Sequence, residues 1–163
     1  MSDPPRSLYR LERYTVVERV LPAGLQIRTV GEGDDFALGG LMERAYAGTI
    51  DEQLGGNSDG AVEVAAWRDE PALVEVSVAI VDMDDAVVAA SLCSGSWAHE
   101  VWIAYVVTEP AWKGHALATV AVDECVRRIR ARTGVEILAA VTDGNTPSER
   151  MLTSIGFDRV AAL

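Results

Sequence analysis

Lys113 is the only lysine among the 163 residues; the other thirteen basic residues are arginines. It opens the run Lys113-Gly114-His115-Ala116-Leu117-Ala118, which leads into a long helical pattern. The first four N–H groups of a helix have no partner within it, and the helix dipole is positive at that end. Such an end binds phosphate groups. Small residues let a ligand approach the backbone, and Gly114, Ala116 and Ala118 keep that approach open. Lys113 adds a formal charge, and His115 a further donor. The run is neither the G-x-x-x-x-G-K-[ST] phosphate loop nor the G-x-G-x-x-G dinucleotide fingerprint. Small residues here also serve a second purpose, letting a helix pack closely on a sheet.

The run must be held by the elements on either side. Residues 101–108 are nearly all apolar and read as a strand buried on both faces. After the run, Leu117, Ala121, Cys125 and Ile129 step by four, with Ala118, Val122 and Val126 beside them, so one wide apolar stripe marks a long helix. Arg127, Arg128, Arg130 and Arg132 fill its last turns, where the dipole favours cations. Gly134 is placed to cap it. Residues 136–142 read as another buried strand, so a helix links two strands that must run parallel. Thr146, Pro147 and Glu149 stand at N-cap, N1 and N3 of a last helix. Met151, Leu152 and Ile155 form its apolar face, Gly156 ends it, and residues 157–163 close the chain as a strand.

The first half carries fewer chemical signals. Residues 1–7 read as a flexible end, and residues 14–21 and 25–30 as strands. Phe36, Leu38, Leu41, Met42, Ala45 and Tyr46 recur at helical spacing over residues 34–47. A loop over 48–60 carries Asp51, Glu52 and Asp59, and residues 61–68 suggest a short helix. Residues 73–81 and 86–93 read as strands joined by the turn 82–85, with a further turn at 94–96. No internal repeat appears, and the length suits one domain over residues 1–163.

The formal net charge of −11, from 25 acidic and 14 basic residues, argues against nucleic acid. It suits a cationic small molecule or a basic peptide. There is no run of about 18 apolar residues, so no membrane span is expected, and the first residues lack the apolar core of a secretory signal. Cys93 and Cys125 lack metal-ligand spacing, which implies buried thiols in a reducing cytoplasm and no bound metal.

Strand, Pro110-x-x-Lys113-Gly-His-Ala-Leu-Ala118, long helix, strand, Asn145, capped helix and Gly156-Phe157 together resemble the GNAT superfamily of acyl-CoA N-acyltransferases. That family's loop pattern is [RQ]-x-x-G-x-[GA], and its later pattern is an Asn, a small residue three on, and a helix ending in Gly-Phe. Residues 100–157 carry the resemblance, and the order of the earlier elements agrees with it. It implies an α+β fold with a mixed, mostly antiparallel twisted sheet, whose one parallel strand pair splays at the acyl-CoA site, flanked by about four helices.

The resemblance also implies residue roles. Amides from Lys113 through Gly114, His115, Ala116, Leu117 and Ala118 would hold the pyrophosphate of acetyl-CoA. The backbone of Val106, Val107 and Thr108 would pair with pantetheine, with the Val107 amide as oxyanion donor. Asn145 would bond the pantetheine arm, with Ser148 near it. A catalytic glutamate of the histone-acetyltransferase branch stands thirteen residues before the loop's basic residue, and Glu100 matches it as the base. His99 is the neighbouring alternative, histidine being the usual neutral-pH base.

Three departures stand out: Lys113 in place of Arg or Gln, Ala116 in place of glycine, and Leu152 where many members carry the tyrosine that protonates the leaving thiolate. Tyr105 is a candidate for that proton on its chemistry alone, and as an aromatic in a buried strand it also reads as core. The amine acceptor, a small molecule or a peptide, would lie against residues 42–60, including Tyr46, Asp51 and Glu52, and a homodimer is entertained as the assembly. The expected activity is acetyl transfer from acetyl-CoA to a primary amine. The alternatives are a non-catalytic acyl-CoA sensor of the same fold and an unrelated α+β interaction domain.

Overall fold

The computed structural model describes residues 5–53 and 59–163. Its strands are β1 (Arg6–Leu11), β2 (Gln26–Thr29), β3 (Val78–Val81), β4 (Val87–Gly95), β5 (Glu100–Thr108), β6 (Glu136–Thr142) and β7 (Phe157–Ala162). Its helices are α1 (Asp35–Tyr46), α2 (Ile50–Gln53), α3 (Gly60–Asp69), α4 (Leu117–Arg130) and α5 (Thr146–Ile155). The strands make one mixed sheet in the order β2-β3-β4-β5-β6-β1-β7. Every neighbouring pair is antiparallel except β5–β6. That parallel pair is joined through α4, as the strand–helix–strand pattern requires.

Each face of the sheet carries its own core. The stripe of α4 (Leu117, Ala121, Val122, Cys125, Val126, Ile129) packs with Leu152 and Ile155 of α5 on one face. Leu38, Leu41 and Met42 of α1 and Val64 and Trp67 of α3 cover the other. Trp67, fully buried, donates its indole N–H to the Cys93 carbonyl at 2.9 Å and so ties α3 to β4. Phe36, in phase with the α1 pattern, is 94% exposed. Cys93 and Cys125 are buried free thiols.

Several local expectations are corrected. Of the end expected to be flexible, residues 1–4 lie outside the described structure, but Arg6 and Ser7 belong to β1. This strand sits between β6 and β7, and Tyr9 and Leu11 are buried there. Residues 14–21 form no strand. They run against α4, held by Tyr14 Oη donating to Asp123 at 2.9 Å and by Arg127 donating to the Val17 carbonyl. β-Branched side chains suited the stretch to a strand, but no neighbouring backbone is there to pair with it, and Val16, Val17 and Val20 are exposed. The α4 C-cap is Ala131, not Gly134, because Ala131 N–H already closes on the Arg127 carbonyl. The strand buried almost throughout is β4, whereas β5 alternates.

Candidate active site

β5 and β6 pair only from Glu100↔Glu136 to Ile103↔Ala139. At that point β5 bulges: Leu92 faces Tyr105 and Cys93 faces Ile103, so Ala104 is the extra residue. A bulge bends its strand and ends local pairing. Beyond it the two strands splay into a cleft of about 1000 Å³. The Glu109 N–H donates to the Val88 carbonyl at 2.7 Å. Bonded and non-bonded pairs alternate along an antiparallel ladder, so Val107, opposite Ala90, turns its N–H toward β4. The amides facing the open β6 side are those of Val106 and Thr108. The Val107 amide, expected as oxyanion donor, thus faces β4, and Val106 lines the cleft while Val107 is buried.

Past β5, a 3-10 turn over Pro110–Trp112 delivers the chain to α4. The first helical bond is Val120 N–H to the Ala116 carbonyl. Among the described residues, nothing accepts a hydrogen bond from the amides of Gly114, His115, Ala116, Leu117, Ala118 or Thr119. Gly114 (φ +87°) and Ala116 (φ +57°) are both left-handed and curl this run of N–H groups. Consecutive amides in such a curl, at the positive end of a 14-residue helix, make an anion cradle. A side chain added at Gly114 would meet nothing within 4 Å, so the approach from solvent is open. Lys113 is exposed beside it. His115 packs edge-on against Trp112, ring centroids 5.2 Å apart, with Nδ1 3.1 Å from the Trp112 carbonyl.

The cleft is walled on one side by α1, α2 and α3. Tyr105 points its hydroxyl there and donates to Glu63 of α3 at 2.8 Å. Tyr46 of α1 lines the same space, and among the described residues its hydroxyl has no hydrogen-bond partner. Burial, then the negative charge of Asp51, pushes the Tyr46 phenol far above its usual pKa. Burial and the bond to Glu63 do the same for Tyr105. Both stay protonated at neutral pH, and a phenol so shifted is a poor proton donor.

Glu100 lines the cleft, and among the described residues its side chain has no hydrogen-bond or ion-pair partner. His99 lies exposed at the tip of the β4–β5 hairpin and does not line it. The α5 cap differs from expectation: Asn145, not Thr146, is the N-cap, and its side chain accepts from the Ser148 N–H at 3.3 Å. Asn145 also donates to Asp51 of α2 at 3.3 Å, so its amide braces the cleft wall as well as lining it. Ser148 lines the cleft, and Leu152 does so while buried in the α5 core. The side chain of Glu52 and residues 54–58 of the expected acceptor loop lie outside the described structure. Sequence reasoning missed Arg6, Glu63, Glu70, Trp102 and Leu163 as lining residues. Glu63 was within reach, lying three residues before Ala66 on the expected short helix, but nothing local shows which face of that helix meets Tyr105.

The structure thus combines a mixed sheet whose single parallel pair splays open with a run of free amides at the start of the helix joining that pair. The chain belongs to the GNAT acetyltransferase family: the model described as "Acetyltransferase (GNAT) family" matches residues 47–157. No curated protein matches it in sequence. Its fold is similar to that of a GCN5-related N-acetyltransferase from Sphaerobacter thermophilus, with TM-score 0.73 and 18% identity over 98% of this chain and 50% of that one. A putative GNAT-family acetyltransferase from Novosphingobium aromaticivorans gives 0.65 and 17% over 98% of this chain and 61% of that one. A putative acetyltransferase from Salmonella typhimurium, solved with acetyl-CoA, gives 0.65 and 19% over 85% of this chain and 82% of that one. The chain thus spans only half to three-fifths of the first two, and at these identities the likeness is one of fold. Among the described residues no helix is long and apolar enough to cross a membrane.

Proposed function

We propose that the protein transfers an acetyl group from acetyl-CoA to a primary amine within one ternary complex. The observation that carries this reading is the free amide run Gly114–Thr119 at the start of α4, the helix that joins the two strands of the β5–β6 splay. An anionic pyrophosphate suits the cradle, and an extended amide-bearing arm suits the unpaired edges of Val106 and Thr108. The thioester supplies the electrophilic carbonyl. The amine nitrogen bonds to that carbon as the carbon–sulfur bond breaks, and the sulfur leaves as thiolate.

In this reading Glu100, which lines the cleft, takes the amine's proton, directly or through a water. In this reading the Val106 N–H, on the open side of β5, steadies charge on the carbonyl oxygen. Leu152 cannot return a proton to the thiolate. Tyr105, held to Glu63, is disfavoured for that role by the direction of its shift. Water is then the donor. Leu152 also supports a second reading, an acyl-CoA-binding domain that does no transfer.

Calorimetric titration with acetyl-CoA and with CoA, followed by thiol release over an amine panel, tests the proposal. Binding of both ligands with amine-dependent thiol release is expected. Absence of binding at millimolar ligand sinks both readings, and binding without amine-dependent release favours the sensor. Glu100→Gln should slow transfer by about 100-fold, the lower end of general-base effects; an unchanged rate removes Glu100 from the mechanism.

A further inference from the structure

Past the bulge at Ala104, β5 continues as an arm held on one edge only. Val106, Val107 and Thr108 stay opposite Ser91, Ala90 and Ala89 of β4, while the edge toward β6 is open. The acetyl-transfer reading places the donor along that open edge. The wall facing it includes α1, which packs over β4 and β5 and gives Met42, Glu43 and Tyr46 to the cleft. Arm and wall must keep a fixed spacing, since the attacking nitrogen has to stand about 3–3.5 Å from the carbonyl carbon.

One side-chain contact ties the two together. Arg44, next to Glu43 on α1, grips Glu109, the residue that follows β5. Its Nε donates to Oε1 at 3.2 Å and to Oε2 at 2.9 Å, and Nη2 lies 2.8 Å from Oε2. Glu109 is also fixed through its backbone. Its N–H donates to the Val88 carbonyl at 2.7 Å, and its carbonyl accepts from the Trp112 N–H at 2.8 Å, within the turn that leads to the amide cradle. Among the described residues, no other hydrogen bond joins α1 to residues 104–116.

The guanidinium has a seat on α1. Gly40 lies one turn before Arg44, and a Cβ built there would stand 3.1 Å from Nη1. Glycine inside a helix disfavours the helix, but here the missing side chain leaves the guanidinium room to lie against it. The pair is open to water, with the Arg44 side chain 53% exposed and that of Glu109 25%. Such an ion pair adds little to stability. Two arginine nitrogens on one carboxylate fix direction as well as distance, however.

We propose that Arg44 and Glu109 are positioning residues: their ion pair sets the β5 arm against the α1 wall, so that bound donor and bound amine meet in line. The proposal rests on the acetyl-transfer reading and adds to it two residues that do not line the cleft.

The test uses the full chain with acetyl-CoA and three acceptor probes, butylamine, ethanolamine and a lysine-containing peptide, followed by thiol release. The probe with the fastest release is then used on Arg44→Gln, Glu109→Gln and the double variant. Each single variant should lower kcat by about tenfold, short of the roughly hundredfold cost of a 1 Å misplacement. CoA affinity by calorimetry and KM for the amine should each change by less than about threefold, the range of a lost surface charge. Tm should fall by less than about 2 °C. The double variant should lose no more than either single one, as coupled partners do. Arg44→Lys keeps the charge without the fork and should recover only part of kcat.

The two single variants change the local charge in opposite directions. An effect of charge alone would therefore move kcat in opposite directions, whereas a lost link lowers it in both. Unchanged kcat in both overturns the proposal, as do opposite changes, additive losses in the double variant, or a loss confined to KM. Absence of thiol release from the unaltered chain with every probe removes the transfer reading and this proposal with it. Release from the unaltered chain, with kcat equal in the variants, removes this proposal alone.

Discussion

At Ala116 the family's glycine is replaced, and the backbone there is left-handed at φ +57°, ψ +26°. That conformation costs an L-residue about 1–2 kcal/mol. Ala116→Gly removes the strain but loosens the unfolded chain by about 0.5–1 kcal/mol. The net gain should be about 0.5–1 kcal/mol, raising Tm by about 2 °C; a fall in Tm would contradict the conformation. Lys113 acts differently, because the neighbouring amides, which any residue supplies, do most of the anion binding. Lys113→Ala should weaken CoA binding by about fivefold in calorimetry, and a loss beyond a thousandfold would mean the side chain, not the backbone, holds the phosphate. The sequence made the position of this loop legible, since glycine, small residues and the helix stripe all sit in one run. It could not say that Ala116 is left-handed, because that angle is set by how β5 must turn to enter α4. Nor could it choose between Asn145 and Thr146 as the α5 cap: both types cap well, and only the reach to Asp51 decides for Asn145.

The helices α1 and α3, which wall the cleft, also meet backbone to backbone. A Cβ built on Gly60 would lie 1.9 Å from the Gly39 carbonyl oxygen, so α3 starts against the backbone of α1 with no room for a side chain. Gly60→Ala must push α1 and α3 apart, an overpacking that typically costs about 1–3 kcal/mol. Because Glu43, Tyr46 and Glu63 ride on those two helices, the KM for the amine should rise several-fold while CoA affinity, set across the sheet at α4, changes little. Equal losses in both would show that the two ends of the cleft are not separable in this way. Elements with a strong period, α1, α4, β6 and α5, were readable within a residue or two, because an apolar stripe needs no partner to be seen. Residues 14–21 show the limit of that reasoning. Thr15, Val16, Val17 and Val20 favour extended backbone, but strand formation also needs a free sheet edge, which is a property of the whole chain. The bulge at Ala104, which opens the site, is likewise invisible locally: nothing about Ile103-Ala104-Tyr105 differs from a regular strand until β4 is laid against it.

The sheet closes around its first strand. β1 pairs with β6 from Arg6↔Thr142 to Arg10↔Leu138 and with β7 from Ser7↔Ala162 to Leu11↔Phe157, so it alone connects β7 to the rest. Ser7 adds a hydrogen bond to Asp143 at 2.5 Å, and the Leu163 N–H closes on the Arg6 carbonyl at 2.8 Å. A polar, proline-containing start hides this, since a strand that pairs with residues more than a hundred positions away carries no local mark of its partners. Deleting residues 1–11 removes two ladders and the buried side chains Tyr9 and Leu11, at about 1.5–3 kcal/mol each for burial alone, and leaves β7 without a neighbour. Against a total stability of about 5–15 kcal/mol, this loss should abolish the cooperative thermal transition or lower Tm by more than about 10 °C. Deleting only residues 1–4, ahead of the strand, should shift Tm by less than about 2 °C, the scale of an ordinary surface change. The comparison is made by thermal melts followed by circular dichroism. If the longer deletion melts like the intact chain, β1 is not part of the folded sheet, and Arg6 loses its place at the edge of the cleft with it.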